Sequence, residues 1–272
     1  MVKKALLIGI NYTGTENSLN GCINDVNHIK TFLIENCGYL KENITLISDQ
    51  ESVKPTKDNM EKTIKSLVDK NVAGDTLFFY YSGHGSKLKD YSGDENDGMD
   101  EVLVPLDYEK AGIISDDWLS LNLINKVNKD VTLWCFTDCC HSGTMVDLKY
   151  NYKSLCELKN KNSVDKNYNP SEWNDVFSFS IEKSSEVPGN VYLFSGCQDA
   201  ETSTDASINN KSQGAFTFCL LEFLKSPKFK NGNVKLRNIL KEINCRLKIN
   251  GFCQNSQLSL SKREDFEKVF QL

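Results

Sequence analysis

The chain has 272 residues, 39% of them apolar, and a formal net charge of −5, which is enough material to bury a large core as one α/β unit. Its lysines are spread along the whole length instead of gathering into a basic stripe, so the electrostatic footprint of a nucleic-acid binder is absent. The start "MVKKALLIGI" is too brief for a signal h-region and no apolar stretch approaches spanning length, which predicts a soluble, cytoplasmic protein with no membrane partner.

"KKALLIGI" is a continuous apolar run, as a strand covered on both faces requires. "SLNGCINDVNHIKTFLIENCG" then puts Cys22, Val26, Ile29 and Leu33 on one helical stripe, with Gly38 as a stop. "NITLIS" predicts a second strand, and "TKDNMEKTIKSLVDK" after Pro55 and Thr56 predicts a second helix. "DTLFFYYSGHG" reads as a third strand running into a glycine turn, and "VTLWCFTD" as a fourth. Residues 148–190 are rich in Lys, Asn and Ser with little periodicity, which predicts an exposed connection. "NVYLFSGC" resumes as a strand, "GAFTFCLLEFLK" and "VKLRNILKEINCRLK" as helices, and a short strand is expected near "FEKVFQL". Strand and helix in alternation predict a mainly parallel sheet with helices on both faces. The expected organisation is one structural domain: a large segment over 1–148, a linker over 149–190 and a small segment over 191–272.

Ligand sites in such sheets lie at the carboxyl ends of strands. Two unusual turns fall there, "YYSGHGS" and "FTDCCHSG", so His84 and Cys140 can share one crevice. A thiol becomes a useful nucleophile beside an imidazole, which favours thiolate. His84 between Gly83 and Gly85 is the candidate base, and the backbone N–H groups of Gly85 and Cys140 are candidate donors to an oxyanion. A histidine about fifty residues upstream of a cysteine is a caspase-like spacing. Most of the ten cysteines, Cys135, Cys219 and Cys245 among them, sit in apolar runs as reduced small hydrophobes. A zinc site is disfavoured by the absence of C-x-x-C, by only three histidines, and by adjacent Cys139 and Cys140 pointing to opposite sides of an extended backbone.

"YYSGHG" with "TDCCHSGT" resembles the paired signatures of metacaspases, cysteine proteases of the caspase-like clan. The resemblance runs on through "LLIGINYTGTENSLNGCINDV", "DGMDEVLVPLDYEKAGIISDDWL", "YLFSGCQDAETSTDA", "QGAFTFCLLEFL" and "QNSQLSLS". It looks like type I in order, but the chain begins almost directly on the first strand, without the long pro-region frequent in that type. The resemblance implies a caspase-like fold, a monomer, Cys140 as nucleophile with Cys139 its neighbour, and His84 as base.

A pocket for a basic P1 side chain should offer carboxylates, because a buried cation without a partner is costly. By similarity to metacaspases, Asp25 and Asp138 supply them, with Cys22 and Ser82 on the walls; a helix-start carboxylate serving the macrodipole is the plainer reading of Asp25. Arg237, Arg246 and Arg263 are the only arginines and all come late, which disfavours a pocket for aspartate. The partners expected are protein or peptide substrates with basic P1 residues. The acidic stretch "SGDENDGMDEVLVPLD" with "ISDDWL" fails as an EF-hand, since Gly98 at the loop glycine puts Val104 where a Glu is required. It looks instead like the acids through which metacaspases bind activating Ca²⁺, which carries over to Asp100, Asp116 and Asp117, with Asp147 as a fourth. Lys149, Lys153, Lys159, Lys161 and Lys166 in the connection are candidate self-cleavage positions.

A tyrosine-phosphatase reading fails because the sixth residue after Cys140 is Val146, not arginine. A thioredoxin-like role lacks its motif. The remaining alternative is a catalytically inactive scaffold on this fold.

Overall fold

The computed structural model describes residues 1–90, 98–140, 145–158, 173–184, 186–197, 205–208, 211–230 and 233–272. In chain order its elements are β1 (Lys3–Gly9), α1 (Cys22–Cys37), β2 (Ile44–Ser48), α2 (Lys57–Val68), β3 (Thr76–Ser82), β4 (Gly85–Lys89), β5 (Met99–Leu103) and α3 (Tyr108–Ala111). There follow β6 (Ile114–Ser115), α4 (Asp116–Asn122), β7 (Thr132–Asp138), β8 (Tyr150–Leu158), β9 (Trp173–Ile181), β10 (Asn190–Ser195), β11 (Asp205–Ile208) and β12 (Lys211–Gly214). The chain closes with α5 (Ala215–Leu224), α6 (Pro227–Lys230), α7 (Leu236–Ile249) and β13 (Gln257–Leu260).

The main sheet has the order β2-β1-β3-β7-β10-β13-β8-β9. The strands from β2 to β10 are parallel, and β13, β8 and β9 extend the sheet in antiparallel fashion. Strands β1, β3, β7 and β10 are buried almost end to end, because helices cover both of their faces. On one face α1, α5 and α7 pack Val26, Phe216 and Ile239 against Leu7, Phe78, Phe136 and Phe194. On the other, α2 and α4 pack Met60, Ile64 and Leu119 against Leu6, Leu77, Leu133 and Leu193. Each such side chain contributes about 1.5–3 kcal/mol through burial. The α/β class with a mainly parallel sheet is the one the sequence predicts. Among the described residues no helix is long and apolar enough to cross a membrane.

Three expectations need correction. The stretch read as an exposed connection contains β8 and β9, which pair over Tyr150–Leu158 and Trp173–Ile181 and dock β8 on β13. Apolar periodicity is a poor guide there because polar Asn151 and Ser154 are buried, while the Asn244 amide on α7 donates to the carbonyls of Ser154 and Ser256. The terminal strand is β13, not "FEKVFQL", where Val269 forms an isolated bridge with Lys235. Cys245 is disulfide-bonded and is not a reduced thiol.

Candidate functional site

The parallel register builds the site. Gly9 pairs with Ser82 and Ser82 pairs with Asp138, so the carboxyl ends of β1, β3 and β7 stop side by side. Two residues beyond that row lie His84 and Cys140. Their turns touch: a Cβ on Gly85 would sit 2.2 Å from the Cys140 carbonyl oxygen and 3.2 Å from Cys139 Sγ. Only glycine permits this approach. Cys139 is buried and Cys140 is partly exposed, so of the two adjacent thiols Cys140 faces the solvent side.

The His84 ring is held from two directions. Its Nε2 lies 2.7 Å from the Asn17 carbonyl; a carbonyl oxygen can only accept, so Nε2 carries the hydrogen and Nδ1 holds the lone pair of the neutral ring. Tyr12 lies against the other side, with ring centroids 4.6 Å apart. The end of β7 and its turn have their own supports: Cys197 Sγ donates to the Cys139 carbonyl at 3.0 Å, and the Gly196 N–H donates to the Thr137 carbonyl at 2.7 Å.

Beside this pair is a buried acidic cluster. Asp25, on the first turn of α1, and Asp138, at the end of β7, are 0% and 4% exposed. Ser82 Oγ donates to Asp25 at 2.9 Å, and the Gly214 N–H donates to both Asp25 oxygens at 3.1 and 3.0 Å. Thr217 donates to Asp138 Oδ2 from its N–H at 2.9 Å and its Oγ1 at 2.7 Å. The two carboxylates meet across Gly214, where a Cβ would lie 2.0 Å from Asp138 Oδ2 and 2.9 Å from Asp25 Oδ2. Their charge reaches Tyr80 below: burial first, then Asp25 and Asp138, push that phenol well above its ordinary value. Cys22 is buried one turn before Asp25.

A second small sheet is formed by β4, β5 and β6. Asp100 is on β5 and Asp116 and Asp117 open α4. Asp116 accepts from the amides of Glu101 and Asp117, but burial above all, with the charges of Glu101 and Asp100, pushes its carboxyl up to about 9. Lys87 pairs with Glu101 at 3.0 Å. Asp147 has a left-handed backbone at φ 47°. Among the described residues no three His, Cys, Asp or Glu side chains gather as a ready-made metal cage.

Thus the turns of His84, Gly85 and Cys140 come together, and Asp25, Ser82 and Asp138 form a buried cluster, with Cys22 buried on the same helix as Asp25. Sequence reasoning missed Tyr12, Asn17, Gly214 and Thr217. Gly214 and Thr217 were hidden in "QGAFTF", a stretch whose only local signal is the start of an apolar helix.

A family model described as metacaspase, peptidase C14 domain, matches residues 3–149. Metacaspase-1A of Neurospora crassa is 33% identical over 98% of this chain and 64% of its own length. Metacaspase-1 of Kluyveromyces lactis is 34% identical over 99% of this chain and 68% of its own. The chain therefore spans about two thirds of the length of these relatives. A crystal structure of a Geobacter sulfurreducens protein superposes with a TM-score of 0.65 over 98% of this chain and 97% of that one, at 24% identity, a likeness of fold. With the family model covering more than half of its residues and curated relatives aligned along almost all of it, the chain belongs to the metacaspases, a peptidase C14 family of cysteine peptidases.

Proposed function

We propose that this chain is a calcium-activated cysteine endopeptidase that cleaves after Lys or Arg through Cys140 and His84. The observation that carries the reading is the β3–β7 register, which brings the turn holding His84 against the turn holding Cys140 directly beside two buried carboxylates.

In this mechanism the substrate's Lys or Arg is drawn to Asp25 and Asp138, whose paired negative charge is stabilised by the incoming cation. Cys140 Sγ bonds to the carbonyl carbon as its proton passes to His84 Nδ1, and the Asn17 carbonyl steadies the resulting imidazolium through Nε2–H. The backbone amides of Gly85 and Cys140 serve the oxyanion. His84 returns the proton to the departing amine as the C–N bond breaks, leaving a thioester. Water then attacks with His84 taking its proton, and the C–S bond breaks to restore the thiol.

The carboxyl of Asp116 suits Ca²⁺ in its chemistry, a hard oxygen donor crowded by the charges of Glu101 and Asp100. Asp100, Asp116 and Asp117, with Asp147, would hold it, and a bound ion supplies the positive charge that neutralises their crowding and orders the adjoining turns. The enzyme acts as a cytoplasmic monomer on protein or peptide substrates.

The test is turnover of a fluorogenic peptide ending in Arg, with Ca²⁺ and with chelator, beside Cys140→Ala and His84→Ala. Expected are calcium-dependent cleavage, loss of about 10⁴-fold or more in Cys140→Ala, and a fall of about 10²- to 10⁴-fold in His84→Ala. An absence of turnover in every condition would assign the fold to a scaffold.

A further inference from the structure

We infer that Tyr12 and Tyr81 are positioning residues that hold the peptide unit of His84, and with it the imidazole, at the distance Cys140 needs. The inference rests on the reading of Cys140 and His84 as a reacting pair.

The contacts form a network, to which the Val104 N–H adds a 3.3 Å bond to the His84 carbonyl and Tyr81 Oη a 3.3 Å approach to the Val104 carbonyl. Tyr12 Oη accepts the His84 N–H at 3.0 Å and donates its own hydrogen to the Val104 carbonyl at 2.6 Å. Tyr81 Oη donates to the His84 carbonyl at 2.7 Å. Each phenol has one hydrogen, and each hydrogen is committed to a carbonyl, so the 3.2 Å contact between the two oxygens needs no proton of its own. The backbone of His84 is thereby gripped at both its N–H and its C=O by side chains from β3 and from the segment after β1. The Tyr12 ring adds a third contact by lying against the imidazole. Both tyrosines are fully buried, and burial first of all pushes both phenols above their ordinary value, which keeps them as donors at any pH where the protein works.

The arrangement also demands unusual local geometry. Tyr12 has φ 51°, a left-handed backbone that bulky residues rarely adopt. Gly83 lies so close to the phenols that a Cβ there would be 2.6 Å from Tyr81 Oη and 3.2 Å from Tyr12 Oη. A simple core needs neither feature. The strained tyrosine, the glycine and the two committed hydroxyls all converge on the one residue that carries the imidazole.

The test compares Tyr12→Phe, Tyr81→Phe and Tyr12→Leu in kcat and KM for the Arg peptide, in the rate at which iodoacetamide alkylates Cys140 by mass spectrometry, and in Tm. Expected for Tyr12→Phe is a fall of about tenfold in kcat, from loss of alignment, with KM unchanged and a parallel slowing of alkylation. Tyr12→Leu, which loses the ring contact too, should fall further, and Tyr81→Phe should behave like Tyr12→Phe. Wild-type kcat and alkylation in both Phe variants would overturn the inference, as would a loss of folding in both, which assigns the pair to the fold alone. The alkylation arm separates this idea from the endopeptidase reading. Slower alkylation in Tyr12→Phe and His84→Ala without any peptide cleavage by wild type keeps the positioning role and removes the protease. Cleavage by wild type with unaffected Tyr12→Phe and Tyr81→Phe does the reverse.

Discussion

Asp75 and Asp138 are both 4% exposed and both sit at strand ends of the same parallel sheet, but at opposite ends. Asp75 precedes β3 and spends its oxygens locally, accepting from the Val2 and Val72 amides at 2.7 and 3.1 Å. Its carbonyl also accepts from the Thr132 N–H at 3.0 Å. The effect is to pin the starts of neighbouring strands. Asp138, at the end of β7, receives both of its Thr217 hydrogen bonds on a single oxygen and faces a second buried carboxylate across Gly214. Burial alone therefore does not mark a functional acid. What distinguishes Asp138 is a like-charged neighbour sharing its space, an arrangement that costs stability and that the cationic side chain of the proposed substrate would relieve.

The largest effect is expected at Asp138. Asp138→Asn should lower kcat/KM for the Arg peptide by about 10²- to 10³-fold, the size expected from removing one partner of a buried ion pair, with Tm unchanged or raised. A variant that keeps its kcat/KM but loses Tm would make Asp138 a structural acid like Asp75. A smaller effect is expected at Gly214→Ala, where the new Cβ must displace Asp138 or Asp25. Kinetics should show kcat/KM down about tenfold, with Arg and Lys peptides affected alike. Smallest in catalysis is Asp75→Asn, expected to leave kcat/KM at the wild-type level and to cost about 1–3 kcal/mol of stability in urea unfolding. Burial works to raise the Asp75 carboxyl, but the Val2 and Val72 amides outweigh it and hold it below the ordinary 3.8. A carboxyl lowered by folding stabilises above its unfolded value, and that contribution is lost as pH falls through the lower folded one. Unfolding curves from pH 7 down to about pH 3 should thus converge for wild type and Asp75→Asn at the acid end.

Where the chain repeats apolar residues, the architecture was legible in advance: "KKALLIGI", "TLFFYYS" and "VTLWCF" are buried on both faces and could hardly be anything but interior strands. The strand ends were equally readable, because His84 and Cys140 stand in polar, glycine-flanked turns just past those runs. The hairpin of β8 and β9 was not. It buries Asn151 and Ser154 while leaving Val176 and Ile181 exposed, the inverse of the pattern that marks a strand. Gly214 and Thr217 were illegible for a different reason. Their meaning depends on Asp25 and Asp138, distant in sequence, and only the packing of β12 against α1 and of α5 against β7 brings them together. Tyr12 belongs to this second class, since nothing local ties it to a histidine 72 positions away.

The place of β8 has a consequence for any cut made among the lysines of the connection. Lys153 lies within β8, opposite Gln257, whereas Lys159, Lys161 and Lys166 fall between β8 and β9, outside the described residues. In the sheet, β8 is flanked by β13 on one side and β9 on the other. Severing the chain after β8 would give two pieces dovetailed strand by strand, the front piece clasped on both edges of its last strand by the rear one. Such a nicked molecule would run as two bands in denaturant with reductant and as one particle in native buffer.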